Sequence, residues 1–167
     1  MAAIELYLVR HAIAAARGAE WPDDRRRPLT DRGRAKFKRA TAGLKGLGLT
    51  MDEVLTSPLV RARQTAELLA GGLAECPPVG TLEALAPGHS PSQLISGLAR
   101  LEGRRRLALV GHEPGLGELA AFLTGSRRAI PLRKGGVCRI DVHHPLGRAC
   151  GVLVWLVTPR ILKRLAP

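Results

Sequence analysis

Four side chains, on three well-separated stretches of this sequence, are of the types needed to handle a phosphoryl group. Arg10 and His11 follow the apolar run Ile4-Glu5-Leu6-Tyr7-Leu8-Val9; Arg61 lies in Ser57-Pro58-Leu59-Val60-Arg61-Ala62; His112 closes Leu107-Ala108-Leu109-Val110-Gly111. A guanidinium is a permanent cation whose planar fork of donors matches phosphate oxygens. An imidazole can be a neutral nucleophile or base near pH 7. Two of each around one point would make an anion pocket with a nucleophile in its floor. Only the fold can bring them together.

Each cluster sits at the end of a short run rich in branched residues, the pattern of a buried strand. In open α/β sheets ligands bind just beyond the carboxyl ends of the strands. Ile4 to Val9, Glu53 to Thr56 and Leu107 to Val110 are therefore read as parallel neighbours. Ser57 and Pro58 read as N-cap and first residue of a helix reaching Leu69 or Ala70, stopped by Gly71-Gly72. That places Arg61 in a first turn, where free N–H groups and the helix dipole favour anions.

The remaining elements alternate. A loop runs to about Leu29, and Thr30 caps a basic helix with Asp31 in its first turn, ending near the glycines at 43, 46 and 48. A weak strand covers Val79 to Leu82. Ser90-Pro91-Ser92-Gln93 is a capping box, followed by an apolar stripe of Leu94, Leu98 and Leu101. A helix spans Leu116 to Leu123. Val137 to Val142 and Val152 to Val157 form a hairpin through the turn-rich His143-His144-Pro145-Leu146-Gly147. The alternation predicts a layered α/β fold.

The 167 residues, 46% hydrophobic and 24% charged, suit one soluble domain over residues 1–167, with a core of Leu, Val, Ile and Ala because aromatics are only 3%. Lys+Arg 26 against Asp+Glu 14 gives +12, a field that attracts phosphates and phosphorylated proteins. No basic stretch interleaves with aromatics and no zinc-finger or RNP motif occurs, which disfavours a nucleic-acid partner. Cys76, Cys138 and Cys150 are odd in number and form no CxxC pair, so neither a disulfide framework nor a zinc site is expected. No cysteine has an arginine six residues later, so the cysteine-phosphatase loop is excluded. A cytoplasmic, reducing setting is expected. No apolar run is long enough for a membrane span, and no targeting segment is visible.

Four motifs in order resemble the histidine phosphatase superfamily, which includes phosphoglycerate mutases and acid phosphatases, and within it the SixA group of phosphohistidine phosphatases. They are Leu6-Tyr7-Leu8-Val9-Arg10-His11-Ala12, Arg27-Pro28-Leu29-Thr30-Asp31-Arg32-Gly33, Ser57 through Ala66, and Val110-Gly111-His112-Glu113-Pro114. The resemblance implies a three-layer α/β sandwich with a mostly parallel central sheet flanked by helices, as in phosphoglycerate mutases. It implies that His11 is the nucleophile, attacking phosphorus in line to form a phosphohistidine. Arg10, Arg61 and His112 would hold the phosphoryl oxygens, without cofactor or metal. The expected substrate is a phosphohistidine-bearing protein such as a phosphotransfer domain. The alternatives are small phosphate esters at the same site, or a phosphoprotein-binding module without turnover.

Two departures from the family pattern stand out. Ala12 replaces the usual glycine after the nucleophile. The glutamate that many members carry after the third strand has only Glu83 as a weak counterpart, with Ala84 at the aligned position. Without a general acid, the N–P bond of phosphohistidine is favoured over an ester, because the leaving imidazole can be protonated before cleavage. Other residues have plainer readings. Glu113 caps the next helix, His89 borders a loop, His143-His144 are exposed, and Pro28-Leu29-Thr30 fix the approach to the first helix. Arg25-Arg26-Arg27, Arg63 and Arg104-Arg105-Arg106 are solvated charges.

Overall fold

The computed structural model describes residues 4–98 and 103–166. Its strands are β1 (Ile4–Arg10), β2 (Glu53–Thr56), β3 (Val79–Thr81), β4 (Arg106–Gly111), β5 (Val137–Val142) and β6 (Gly151–Val157). Its α-helices are α1 (Asp31–Gly46), α2 (Val60–Gly72), α3 (Pro91–Leu98), α4 (Gly115–Thr124) and α5 (Pro159–Arg164). All six strands join one sheet in the order β3-β2-β4-β1-β5-β6. The pairings β2–β3, β2–β4 and β1–β4 are parallel, while β1–β5 and β5–β6 are antiparallel.

Alternation along β1 explains the layers. Leu6 and Leu8 face a core shared with α3 and α4, through Leu94, Leu98, Leu116, Leu119 and Leu123. Tyr7 and Val9 face the opposite core, packed by Phe37, Ala40 and Leu44 of α1, Ala62, Ala66 and Leu69 of α2, and Leu162 of α5. A strand buried on both faces reads as a nearly continuous apolar run, and that is the composition of β1 and β4. The chain is thus a three-layer α/β sandwich with a mostly parallel sheet, as the resemblance implies.

Most helix ends follow local chemistry. Thr30 Oγ1 accepts the Gly33 N–H at 2.9 Å to cap α1. Ser90 and Gln93 exchange their capping-box bonds at 2.8 and 3.3 Å. Leu101, assigned to the α3 stripe, lies outside the described residues. Three expectations change. Helix α2 begins at Val60, with Leu59 at its N-cap and no side-chain cap, because the Ser57 hydroxyl is engaged elsewhere. Strand β3 stops at Thr81, one residue short of Leu82. Helix α5 was not anticipated, although Thr158 followed by Pro159 at a first helical position is a start signal. No helix among the described residues is long and apolar enough to cross a membrane.

Candidate active site

Sheet register sets the site. Arg10 of β1 lies opposite Gly111 of β4, and Thr56 of β2 lies opposite Val110. Strands β1 and β4 therefore end level and β2 one residue earlier, and the next residue on each is His11, His112 and Ser57. Backbone bonds continue past the strand ends: His11 N–H donates to the Gly111 carbonyl, and Ser57 N–H to that of Val110, both at 3.0 Å. The rings of His11 and His112 stand 5.1 Å apart between centroids.

Each histidine is held in one tautomer. His11 Nδ1 lies 2.7 Å from the Ala12 carbonyl, which can only accept, so Nδ1 carries the proton and Nε2 keeps its lone pair. Ala12 is not among the positive-φ residues, so its methyl is accommodated without strain. Its own N–H donates to Thr65 Oγ1 at 3.1 Å, and that hydroxyl donates to the Arg61 carbonyl at 2.7 Å. Thr65, one helical turn after Arg61, thus ties α2 to the backbone of the nucleophile loop. His112 Nε2 lies 2.8 Å from Ser57 Oγ. Among the described residues the Ser57 hydroxyl proton has no acceptor other than Nε2, so it goes there and His112 Nδ1 is left as a donor.

Both arginines are clamped by their terminal nitrogens. Arg10 Nη1 donates to the Leu132 carbonyl at 2.8 Å. Arg61, 2% exposed, donates from Nη1 to the Asp24 carbonyl at 2.7 Å and from Nη2 to Asp24 Oδ2 at 2.9 Å. Among the described residues, the buried Nε atoms of Arg10 and Arg61 and the buried Nδ1 of His112 have no hydrogen-bond partner. Buried polar atoms are nearly always satisfied. Three unsatisfied donors, on side chains that neighbour or act electrostatically on the His11 ring, are suited to oxyanion oxygens.

The electrostatics keep both rings neutral at pH 7. Burial is the largest cause and pushes His11 down to about 4 against the pull of its Ala12 bond; Arg61, Arg10 and Arg27 add to the fall. Burial also takes His112 to about 3, helped by His11, Arg61 and Arg10. The arginines contribute, but desolvation dominates. Burial lowers Arg61 as well, and Asp24 opposes that effect.

Two residues missed in the sequence complete the site. Asp24, in a one-turn 3₁₀ helix over Asp24–Arg26, binds Arg61 and also accepts from Arg27 Nε at 2.9 Å, with Arg17 Nε at 3.4 Å. Burial by itself would raise the Asp24 carboxyl, but the Arg27 and Arg61 guanidiniums hold it below its ordinary value. Arg27 is not the solvated charge expected of it. It is 8% exposed and also donates to the Ala15 carbonyl at 2.7 Å, whereas Arg25 and Arg26 are exposed. No local pattern marks Asp24 among its charged neighbours.

Other expected residues fall as follows. Glu113 Oε2 accepts from Gly117 N–H at 3.3 Å and so caps α4, while its Oε1 accepts from Leu132 N–H at 2.8 Å, fixing the segment that clamps Arg10. Pro28 to Thr30 are pinned by backbone bonds to residues 13–15, and a Cβ on Gly33 would run into the Ile13 carbonyl. Glu83 is exposed. Ala84, not Glu83, lines a cavity of about 380 Å³ beside His112, together with His89 and Glu113. His143 and His144 are exposed. Arg104 and Arg106 pair with Glu53 and Asp52, and Arg63 with Glu67.

The histidine phosphatase superfamily (branch 1) pattern matches residues 6–86. An uncharacterised protein of Picosynechococcus sp. (strain ATCC 27264 / PCC 7002 / PR-6) is 42% identical over 152 residues, 84% of this chain and 90% of the relative. The structure of the protein histidine phosphatase SixA complexed with tungstate superposes with a TM-score of 0.84 at 25% identity, over 95% of this chain and 99% of that one. Phosphoserine phosphatase of Entamoeba histolytica shares the fold, with a TM-score of 0.66 at 18% identity over 93% and 97% of the two chains. With the matched pattern spanning the first motifs and the fold shared along the rest, this chain belongs to the histidine phosphatase superfamily.

Proposed function

We propose that this protein is a phosphatase working through a phosphohistidine on His11, and that its substrate is phosphohistidine in a protein. The observation that carries the reading is that His11, with Nε2 free, lies beside His112 and within the electrostatic reach of Arg10 and Arg61, whose buried Nε atoms, like Nδ1 of His112, have no partner among the described residues. Phosphoryl transfer needs positioning and charge neutralisation of the equatorial oxygens more than elaborate covalent chemistry. Here His11 Nε2 attacks phosphorus opposite the leaving nitrogen; the N–P bond of the substrate breaks and a new one forms. Water then attacks the phosphoenzyme, releasing phosphate and restoring neutral His11. Arginines supply the positive charge that a metal would otherwise supply, and a cationic donor set repels a divalent ion. The SixA structure that shares this fold is a complex with tungstate, a tetrahedral oxyanion, which supports an oxyanion as the class of ligand.

Phosphohistidine is favoured over an ester because Glu83 is exposed and Ala84 faces the cavity beside His112. A leaving imidazole takes its proton before cleavage and needs no enzymatic acid. The same cavity favours a second reading, a small phosphate ester whose leaving group fills it, as the phosphoserine phosphatase fold relative suggests. Rapid acid-free quenching with labelled substrates decides. Label on His11 and faster turnover of a phosphohistidine protein than of an alkyl phosphate support the proposal; equal efficiency on both overturns the substrate preference.

A further inference from the structure

Helices α1 and α5 enclose a groove of about 440 Å³ lined by Lys36, Pro159, Arg160, Lys163 and Arg164. Four of these five residues are cations, no acid lines the groove, and all four cations are exposed. Among the described residues none of Lys36, Arg160 and Lys163 has a carboxylate within ion-pair distance. The helices that carry these charges are held together, because Leu162 of α5 is fully buried against α1 and its carbonyl occupies the space a Cβ on Gly43 would take. Holding like charges together on a rigid support costs self-repulsion that an anionic partner relieves.

The groove adjoins the segment that follows His11. A smaller hollow of about 140 Å³ shares Lys36 and Pro159 with it and reaches Ala12, Ile13 and Lys134. The Ala12 carbonyl holds His11 Nδ1. Lys134 lies between Leu132, whose carbonyl clamps Arg10, and Gly135, whose N–H bonds the carbonyls of Arg10 and His11. A chain of cations therefore runs from the nucleophile loop along α1 to α5.

We propose that this groove docks an acidic segment of the phosphorylated protein whose phosphoryl group enters the His11 site. The proposal rests on the protein-substrate reading above and adds to it the chemistry of the partner's surface. Nucleic acid fits less well: the one aromatic lining either hollow, Phe37, is 1% exposed, so no ring is presented for base stacking. Charges at the rim of an interface act through encounter rate and salt dependence. The groove's contribution is therefore to association.

The test uses the charge reversal K36E/R160E/K163E in the full chain. Turnover is measured at low and high salt with a phosphohistidine-bearing phosphotransfer domain and with p-nitrophenyl phosphate. Binding of poly-L-glutamate and of single-stranded RNA is measured in parallel. The variant is expected to lose at least ten-fold in kcat/KM on the phosphoprotein, with a flatter salt dependence, and to lose poly-L-glutamate binding. Turnover of p-nitrophenyl phosphate should stay unchanged. Unchanged turnover of the phosphoprotein, equal losses on both substrates, or RNA outcompeting poly-L-glutamate at the groove overturns the proposal. If the wild type leaves phosphohistidine untouched, the substrate reading fails separately. The poly-L-glutamate comparison still decides the groove, and absence of wild-type binding overturns it.

Discussion

Arg61 gives one N–H of each terminal nitrogen to Asp24, one to the backbone carbonyl and one to the carboxylate, while its buried Nε has no partner among the described residues. The guanidinium is therefore held at an angle set by a residue from another stretch of chain. Asp24→Ala should free Arg61 to rotate and raise KM for phosphorylated substrate by about ten-fold, with a smaller fall in kcat. Loss of the partner to a buried guanidinium costs on the order of 1–3 kcal/mol, toward the lower end because the Asp24 side chain is 41% exposed. Denaturant titration and steady-state kinetics read the two effects, and Asp24→Asn should recover part of the KM change. An unaltered KM in Asp24→Ala would contradict this positioning role.

His11→Ala removes the attacking nitrogen and leaves the donors of Arg10, Arg61 and His112 in place. Turnover should drop to background while orthovanadate and phosphate still bind, as calorimetry can measure. Arg61→Ala, in contrast, should weaken both.

Ser57→Ala removes the hydroxyl that fixes the His112 tautomer. Losing one hydrogen bond of this type is worth about 1 kcal/mol. We expect roughly a five-fold fall in kcat/KM by that same measure, and Ser57→Thr should restore it. NMR of the labelled ring would report a mixture of tautomers in the alanine variant.

Stability should fall on acidification in a defined window. Burial holds folded His11 at about 4 and His112 at about 3, below the ordinary 6.5. Between those limits the unfolded chain binds protons that the folded chain refuses, so stability is full above 6.5 and declines as the pH drops towards 4. Bound phosphate favours the protonated rings and should flatten the decline. Thermal unfolding from pH 7 to pH 4, with and without phosphate, checks both statements; a Tm that climbs on acidification would count against buried neutral imidazoles.

Because the site's positive charge comes from Arg10 and Arg61, EDTA should leave the rate unchanged. Strong inhibition by the chelator, reversed by one added metal, would contradict the arginine-based mechanism.

The parts of the site legible in the sequence are those fixed by local pattern. Apolar runs located β1, β2 and β4, and their common direction brought Arg10, His11, Arg61 and His112 to one rim. Thr30 and the Ser90–Gln93 pair announced α1 and α3 through chemistry confined to a few residues. What escaped depends on contacts across the chain. Ser57 has the appearance of a helix cap, yet its hydroxyl is taken by His112, 55 residues away, and the helix begins later. Asp24 and Arg27 sit in a stretch so charged that no residue stands out, and only the folded loop separates the buried arginine from its exposed neighbours.

Glu113 and Leu132 carry a consequence for biosynthesis. The Arg10 guanidinium is anchored to a carbonyl that lies 122 residues further along, on a segment steadied by the Glu113 carboxylate. During translation Arg10 and His11 emerge well before this anchor, which is made 122 residues after Arg10. Until the Leu132 segment has been made and folds back, Arg10 lacks this brace and the candidate site is unfinished.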